Sequence, residues 1–229
     1  MKKRMLQIDA FSDRPLLGNP AAVVFDADDL STEIMQRIAR EMNLSETVFL
    51  LRPTGDADYR ARIFTPVREL PFAGHPTIAA AHAFCGEQSR MPQSLTQECG
   101  IGLVPIRVED DLYTMTQATP QFRDVPVTKA ELAEAICLPL DMLADSPHQI
   151  VSTGVPWLLL ELHDLQALAG LRPDLGRIER ICHGLGAAGL TVFADSGSEA
   201  APRLRVRTFA PGEGVAEDPV CGSGNGAIA

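Results

Sequence analysis

The sequence predicts an α+β protein built as two similar lobes, and three observations carry that expectation. First, a motif occurs twice: Arg62-Ile63-Phe64-Thr65-Pro66 leads through Pro71 to Ala73-Gly74-His75-Pro76, and Arg207-Thr208-Phe209-Ala210-Pro211 leads through Pro219 to Cys221-Gly222-Ser223-Gly224. Each copy reads as a strand, an acidic loop (Glu69; Glu217 and Asp218), a proline, and a glycine that opens a helix. Lobes of this kind each aim a helix N-terminus and naturally enclose a cleft. Second, segments with strand patterning outnumber helical ones and follow no regular βαβ order, so a Rossmann sheet is disfavoured. Third, residues 120–126 read as a crossover, which divides the chain into an N-terminal lobe, 1–120, and a C-terminal lobe, 121–229.

Residues 4–10 and 20–25 pattern as strands around the turn residues Gly18 and Asn19. Ser31 caps a helix whose apolar positions Ile34, Met35, Ile38, Ala39 and Met42 follow the helical period, and Asn43 ends it. Strands are expected at 47–51 and 59–64, about a turn at Thr54-Gly55-Asp56. Pro76, at a first helical position, starts an apolar helix through Phe84 that Gly86 stops. Apolar on nearly every side, it should be buried, with His82 a satisfied core residue. Short strands follow at 94–98, 103–108 and 112–116.

The second half opens with Thr128 and Glu131 in capping-box spacing, on a helix stopped before Pro139. Strands at 149–152 and 156–162, helices at 164–171 and 173–185, and strands at 190–194 and 203–209 complete it. About 45 residues separate Gly74 from the crossover, whereas seven follow Gly222, so the second lobe reads as truncated.

With 229 residues and 45% hydrophobic content, the chain can bury a substantial core. Its 30 acidic and 20 basic residues give a net charge of −10, which argues against nucleic acid or an anionic membrane as partner. No apolar run is long enough to span a bilayer, and no secretory core follows the basic Met1-Lys2-Lys3-Arg4, so a soluble cytoplasmic protein is expected. The five cysteines are widely spaced without a CxxC pair, and four of them are expected to be buried small hydrophobes. The five histidines form no HxH or HxxxH pair, so no metal site is expected.

Several residues carry chemistry. Amides of the run Gly222-Ser223-Gly224-Asn225-Gly226 can hold an anion at a helix start, and a small carboxylate fits better than a polyphosphate because no P-loop lysine is present. His75 lies at the other helix start, where positive potential favours neutral imidazole; it is a proton carrier or simply a packed histidine. Asp218, before Pro219, is a candidate acid or a turn former. Glu46 lies between a helix end and an apolar strand; it is an acid/base group if buried there and a turn charge if not. Cys221 begins a helix, where a thiolate is favoured. Its counterpart in the first copy is Ala73, which contradicts a racemase working with two facing thiols.

The segments 18–21 (Gly-Asn-Pro-Ala), 35–46 ending Asn43-Leu44-Ser45-Glu46, 62–66, 69–76 and Glu217-Asp218-Pro219-x-x-Gly222-Ser223 resemble the phenazine-biosynthesis isomerase, or PhzF-like, family. The resemblance runs from near residue 6 to the chain end and is closest over 25–76. It implies a diaminopimelate-epimerase-like fold, with two pseudo-symmetric lobes that each wrap an antiparallel barrel-like sheet about a central helix. It also implies a homodimer, no metal or organic cofactor, and a small-molecule carboxylate substrate. The family's namesake isomerises trans-2,3-dihydro-3-hydroxyanthranilate by moving a proton between ring carbons. By this likeness Glu46 shuttles the proton, Asp218 and His75 assist tautomerisation, and Gly74, His75, Gly222 and Ser223 hold the carboxylate. Cys221 stands where the namesake has threonine, which matches the thiol of epimerase relatives. A single-thiol epimerase or racemase of an amino acid, and a non-catalytic carboxylate-binding protein, are the alternative expectations.

Overall fold

The computed structural model describes residues 2–197 and 203–229. The chain divides into two compact units, Met1–Gln117 and Ala118–Ala229. The first unit contains β1 (Met5–Ala10), β2 (Asn19–Val24), α1 (Thr32–Met42), β3 (Glu46–Leu51), β4 (Tyr59–Phe64), β5 (Glu69–Leu70), α2 (Gly74–Cys85), β6 (Ser94–Cys99), β7 (Gly102–Glu109) and β8 (Leu112–Met115). Its strands run in the order β1-β2-β3-β4-β6-β7-β8, with β5 on β4. Pairing is mainly antiparallel, β2–β3 and β4–β6 being parallel.

The sheet curls about α2, which meets β1, β2, β3, β4, β6 and β8. Ala79, Ala80, Ala81 and Ala83 line this helix and are buried; side chains this small let strands approach on most sides. Alternation along each strand then sorts side chains between two cores. On β3, Val48 and Leu50 join the core around α2, whereas Phe49 joins Met35, Ala39 and Phe64 under α1. Phe49 and Phe64 meet edge to face at 5.4 Å. Ser31 caps α1 as expected, accepting from the Ile34 amide, and Asn43 closes it in the left-handed conformation with φ 52°.

The second unit contains β9 (Gln121–Asp124), α3 (Lys129–Ala135), β10 (Gln149–Ser152), β11 (Pro156–Glu161), α4 (Leu165–Gly170), α5 (Leu175–Leu185), β12 (Gly189–Asp195), β13 (Leu204–Ala210), β14 (Val215–Asp218) and α6 (Gly222–Ile228). Its strand order is β14-β13-β12-β11-β10-β9, with β11–β12 parallel. On β11, Leu158 and Leu160 pack with residues of α3, α4 and α5, whereas Trp157 and Leu159 face Cys221 and Ala227 of the α6 segment. The capping box forms: the Thr128 hydroxyl accepts from the Glu131 amide, and the Glu131 carboxylate accepts from the Thr128 amide.

Several expectations are corrected. The supposed crossover contains β9, an edge strand on β10; all four of its residues are exposed, so it lacks the alternating burial that marks a strand in sequence. The second acidic loop is largely β14, and Glu69 opens β5. Pro76 is the third residue of α2, not the first, because the helix already begins at Gly74. His82 is exposed and sets its ring against Tyr113 at 5.5 Å, so it is no core residue. Of the four cysteines expected to be buried, Cys85 and Cys182 are; Cys99 is half-buried, and Cys137, at φ 54° beyond the end of α3, is exposed.

Candidate active site

The repeated motif has a structural basis in each unit. In the first, Arg62 of β4 donates through Nε and an Nη to both carboxylate oxygens of Glu69, each at 2.7 Å. Its guanidinium lies 5.3 Å from the Phe64 ring. In the second, Arg207 of β13 clasps Glu217 at 2.7 and 2.9 Å and lies 5.2 Å from Phe209. The arginine of RxF therefore binds the acid of the next hairpin strand by a bidentate pair over an aromatic ring, and this fixes the chain that leads to each helix start.

The first unit brings together two of the candidate residues. Glu46 opens β3 opposite Ala21 of the parallel strand β2, and His75 is the second residue of α2, which packs on both strands. His75 Nε2 lies 3.3 Å from Glu46 Oε2, with the His75 side chain 5% exposed and that of Glu46 14%. Burial pushes the imidazole pKa down to about 3, although a hydrogen bond to the Pro20 carbonyl opposes the shift. The contact is thus no ion pair near neutral pH. Nε2 makes no hydrogen bond among the described residues, so the proton given to Pro20 is on Nδ1 and Nε2 presents a lone pair to Glu46. A protonated Glu46 can donate to that lone pair, whereas a carboxylate would face it without a shared proton. Neighbouring residues hold the pair in place: the Ser45 hydroxyl donates to Asn19 Oδ1 at 3.1 Å, joining the residue before Glu46 to the residue before Pro20. Asn19 is fully buried, and its spacing from Glu46 gave no signal beyond a turn.

In the second unit, Asp218 ends β14 and accepts the Val220 amide at 3.0 Å, a turn over Pro219. Cys221 is buried at the N-cap of α6, where its Sγ accepts the Gly224 amide at 3.3 Å. The Ser223 hydroxyl lies 3.7 Å from that sulfur. A Cβ on Gly224 would come within 2.9 Å of Thr191 Oγ1 and 3.1 Å of Thr208 Oγ1, so only glycine lets α6 sit this close to β12 and β13. Trp157 Nε1 donates to Ser223 Oγ at 2.9 Å. Sequence reasoning missed this residue; the one available signal was that it is the sole tryptophan, and 66 residues separate it from Ser223. Among the described residues, no group of three or more His, Cys, Asp and Glu side chains gathers as a metal site would.

Each unit is thus a sheet backing a helix that starts from an acidic hairpin, an α+β scaffold with a Glu–His pair in one unit and a thiol, a hydroxyl and an indole in the other, groups suited to moving a proton. The model of the phenazine biosynthesis-like protein family matches residues 8–229, and the chain belongs to that family. It is 40% identical over 231 residues to trans-2,3-dihydro-3-hydroxyanthranilate isomerase of Pseudomonas aeruginosa, covering 99% of this chain and 78% of that protein. It is 38% identical over 232 residues to antisense-enhancing sequence 1 of Schizosaccharomyces pombe, covering 97% of this chain and 77% of that one. Among solved structures, the PhzF-family phenazine biosynthesis protein of Bacillus anthracis superposes with a TM-score of 0.88 at 32% identity, over the whole chain and 79% of its own.

Proposed function

We propose that this isomerase moves a proton within a small cyclic carboxylic acid, trans-2,3-dihydro-3-hydroxyanthranilate or a close analogue, without metal or organic cofactor. The observation that carries the reading is the buried contact of Glu46 Oε2 with neutral His75 Nε2. Glu46, as carboxylate, takes the proton from one ring carbon, and the electron pair left behind shifts the double bond. Glu46 then returns the proton to a second carbon on the same face, so atoms and charge balance without a co-reactant. His75 Nε2, unable to hold a positive charge near neutral pH, accepts a hydrogen bond from the protonated Glu46 between the two transfers. Asp218 assists the later enol-to-ketone step, and Gly74, His75, Gly222 and Ser223 hold the substrate carboxylate through their helix-start amides, Ser223 adding its hydroxyl, while the His75 ring stays committed to Pro20 and Glu46. The protein acts in the cytoplasm as a homodimer, as the family resemblance implies. Among the described residues no helix is long and apolar enough to cross a membrane.

Replacing Glu46 by Gln keeps the shape and removes the base. Turnover of the dihydro acid in deuterium oxide, followed by product mass and deuterium content, is expected to fall by about 10³-fold or more, with the fold intact by circular dichroism. A variant within tenfold of the parent rate would overturn the assignment.

A second reading, a single-thiol epimerase, is favoured by the buried Cys221 Sγ at a helix start, accepting an amide. It predicts that iodoacetamide, or Cys221→Ser, abolishes turnover; in the proton-shuttle reading Cys221→Ser retains most of it. A protein that binds carboxylates but exchanges no substrate hydrogen with solvent, across cyclic and amino acids, would instead be a binding protein.

A further inference from the structure

Ser223 has one hydrogen and two lone pairs, and the structure constrains how they are used. The indole of Trp157 is 5% exposed and packed among Val151, Leu159, Ala210, Cys221 and Ala227. Gly189 of β12 presses on it so closely that a Cβ there would come within 2.7 Å of Trp157 Cζ3. The ring therefore cannot turn away without disturbing two strands. Its Nε1–H can only donate, and it donates to Ser223 Oγ at 2.9 Å. One lone pair of Ser223 is thereby occupied, and the hydroxyl hydrogen must point elsewhere. The nearby sulfur of Cys221, at 3.7 Å, is a weak acceptor and already receives the Gly224 amide. A carboxylate oxygen is a stronger acceptor and would take that hydrogen in a charge-assisted bond.

We infer that Trp157 is a positioning residue: by occupying the Ser223 oxygen as a donor, it commits the hydroxyl to donating its hydrogen, and so selects for the carboxylate of the substrate. This rests on the reading of Ser223 as a carboxylate-binding residue. Without the indole, Ser223 can rotate and spend its hydrogen on neighbouring acceptors, so affinity for the acid falls although no contact to the acid itself is removed.

The chain has a single tryptophan, so one indole N–H resonance in a nitrogen-15 correlation spectrum reports this bond directly. Anthranilate, an aromatic carboxylate with no hydrogen on a saturated ring carbon for the enzyme to move, is the probe. Titration is expected to move the indole peak with saturation, and Ser223→Ala should move the free peak towards an unbonded position. By calorimetry, Trp157→Phe, which keeps a ring but loses the N–H, should weaken anthranilate about tenfold. Ser223→Ala should weaken it by a similar factor, and the double variant no more than either alone. Affinity lost in Ser223→Ala but retained in Trp157→Phe overturns the inference and leaves the carboxylate site standing. Affinity retained in Ser223→Ala, or no binding by the parent protein, overturns the carboxylate reading and the inference with it. Should Trp157→Phe fail to fold, an indole peak unmoved by saturating anthranilate in the parent protein overturns the inference on its own.

Discussion

At the scale of the residue, His75 shows how position sets chemistry. In water an imidazole titrates near 6.5; enclosed under the sheet it titrates at about 3, because burial penalises the cation more than the Pro20 carbonyl supports it. Between these values the unfolded chain binds a proton that the folded chain refuses. Stability should therefore be level above about pH 6.5 and fall as pH drops towards 3, by up to about 1.4 kcal/mol per pH unit from this one group. Urea unfolding of the parent and of His75→Gln across pH 4 to 8 checks this: the variant should lose that part of the slope. An unchanged slope would mean that His75 accepts a proton in the folded protein. Both readings of His75 as a proton carrier and as a packed group were open in the sequence. Its 3.3 Å approach to Glu46 joins residues 29 positions apart, a separation with no local pattern to read.

At the scale of the element, the repeated RxF strand and its acid form one device used twice with unequal support. Arg62 donates to Glu69 and to Thr32 Oγ1, whereas Arg207 donates to Glu217 and to the carbonyls of Leu168 and Leu171, at 3.2 Å each. Lysine cannot reproduce the bidentate fork. The Arg62→Lys change, at a partly exposed pair, is expected to cost about 1 kcal/mol, and Arg207→Lys about twice that, because two part-buried carbonyls also lose their donor. Chemical denaturation of both variants tests the order; equal costs would show that the carbonyl bonds contribute nothing net. The strands of this device were legible, since an Arg and a Phe two residues apart share one face of a strand, where the guanidinium can lie against the ring. The hairpin strands β5 and β14 were not: one is two residues long and the other half-exposed, so neither carries an apolar alternation.

At the scale of the whole molecule, charge excludes partners and burial organises cores. With a net charge of −10, the protein should show no binding to duplex DNA or to anionic lipid vesicles at about 0.15 M salt. Co-sedimentation with either would reveal a basic surface that composition conceals. Each unit puts its sheet between two cores, so strands such as β3 and β11 are apolar on both faces. Such runs announce burial in the sequence, but not which face meets which helix.

The sequence by itself determined the elements with strong local signals. These were the capped helices α1 and α3, the alanine-rich α2, the apolar strands, and the two glycine helix starts. Periodicity, caps and turn residues act over a few positions, and family motifs keep the same order along the chain. Only the tertiary structure decided the relations that depend on closing long stretches of chain. It set a half-buried glutamate against a neutral histidine, bound an arginine to each acidic hairpin, and placed an indole from β11 on the hydroxyl of α6. Those contacts are made by sheet register and helix packing, which are settled by the sum of many small burial terms rather than by any one stretch of residues.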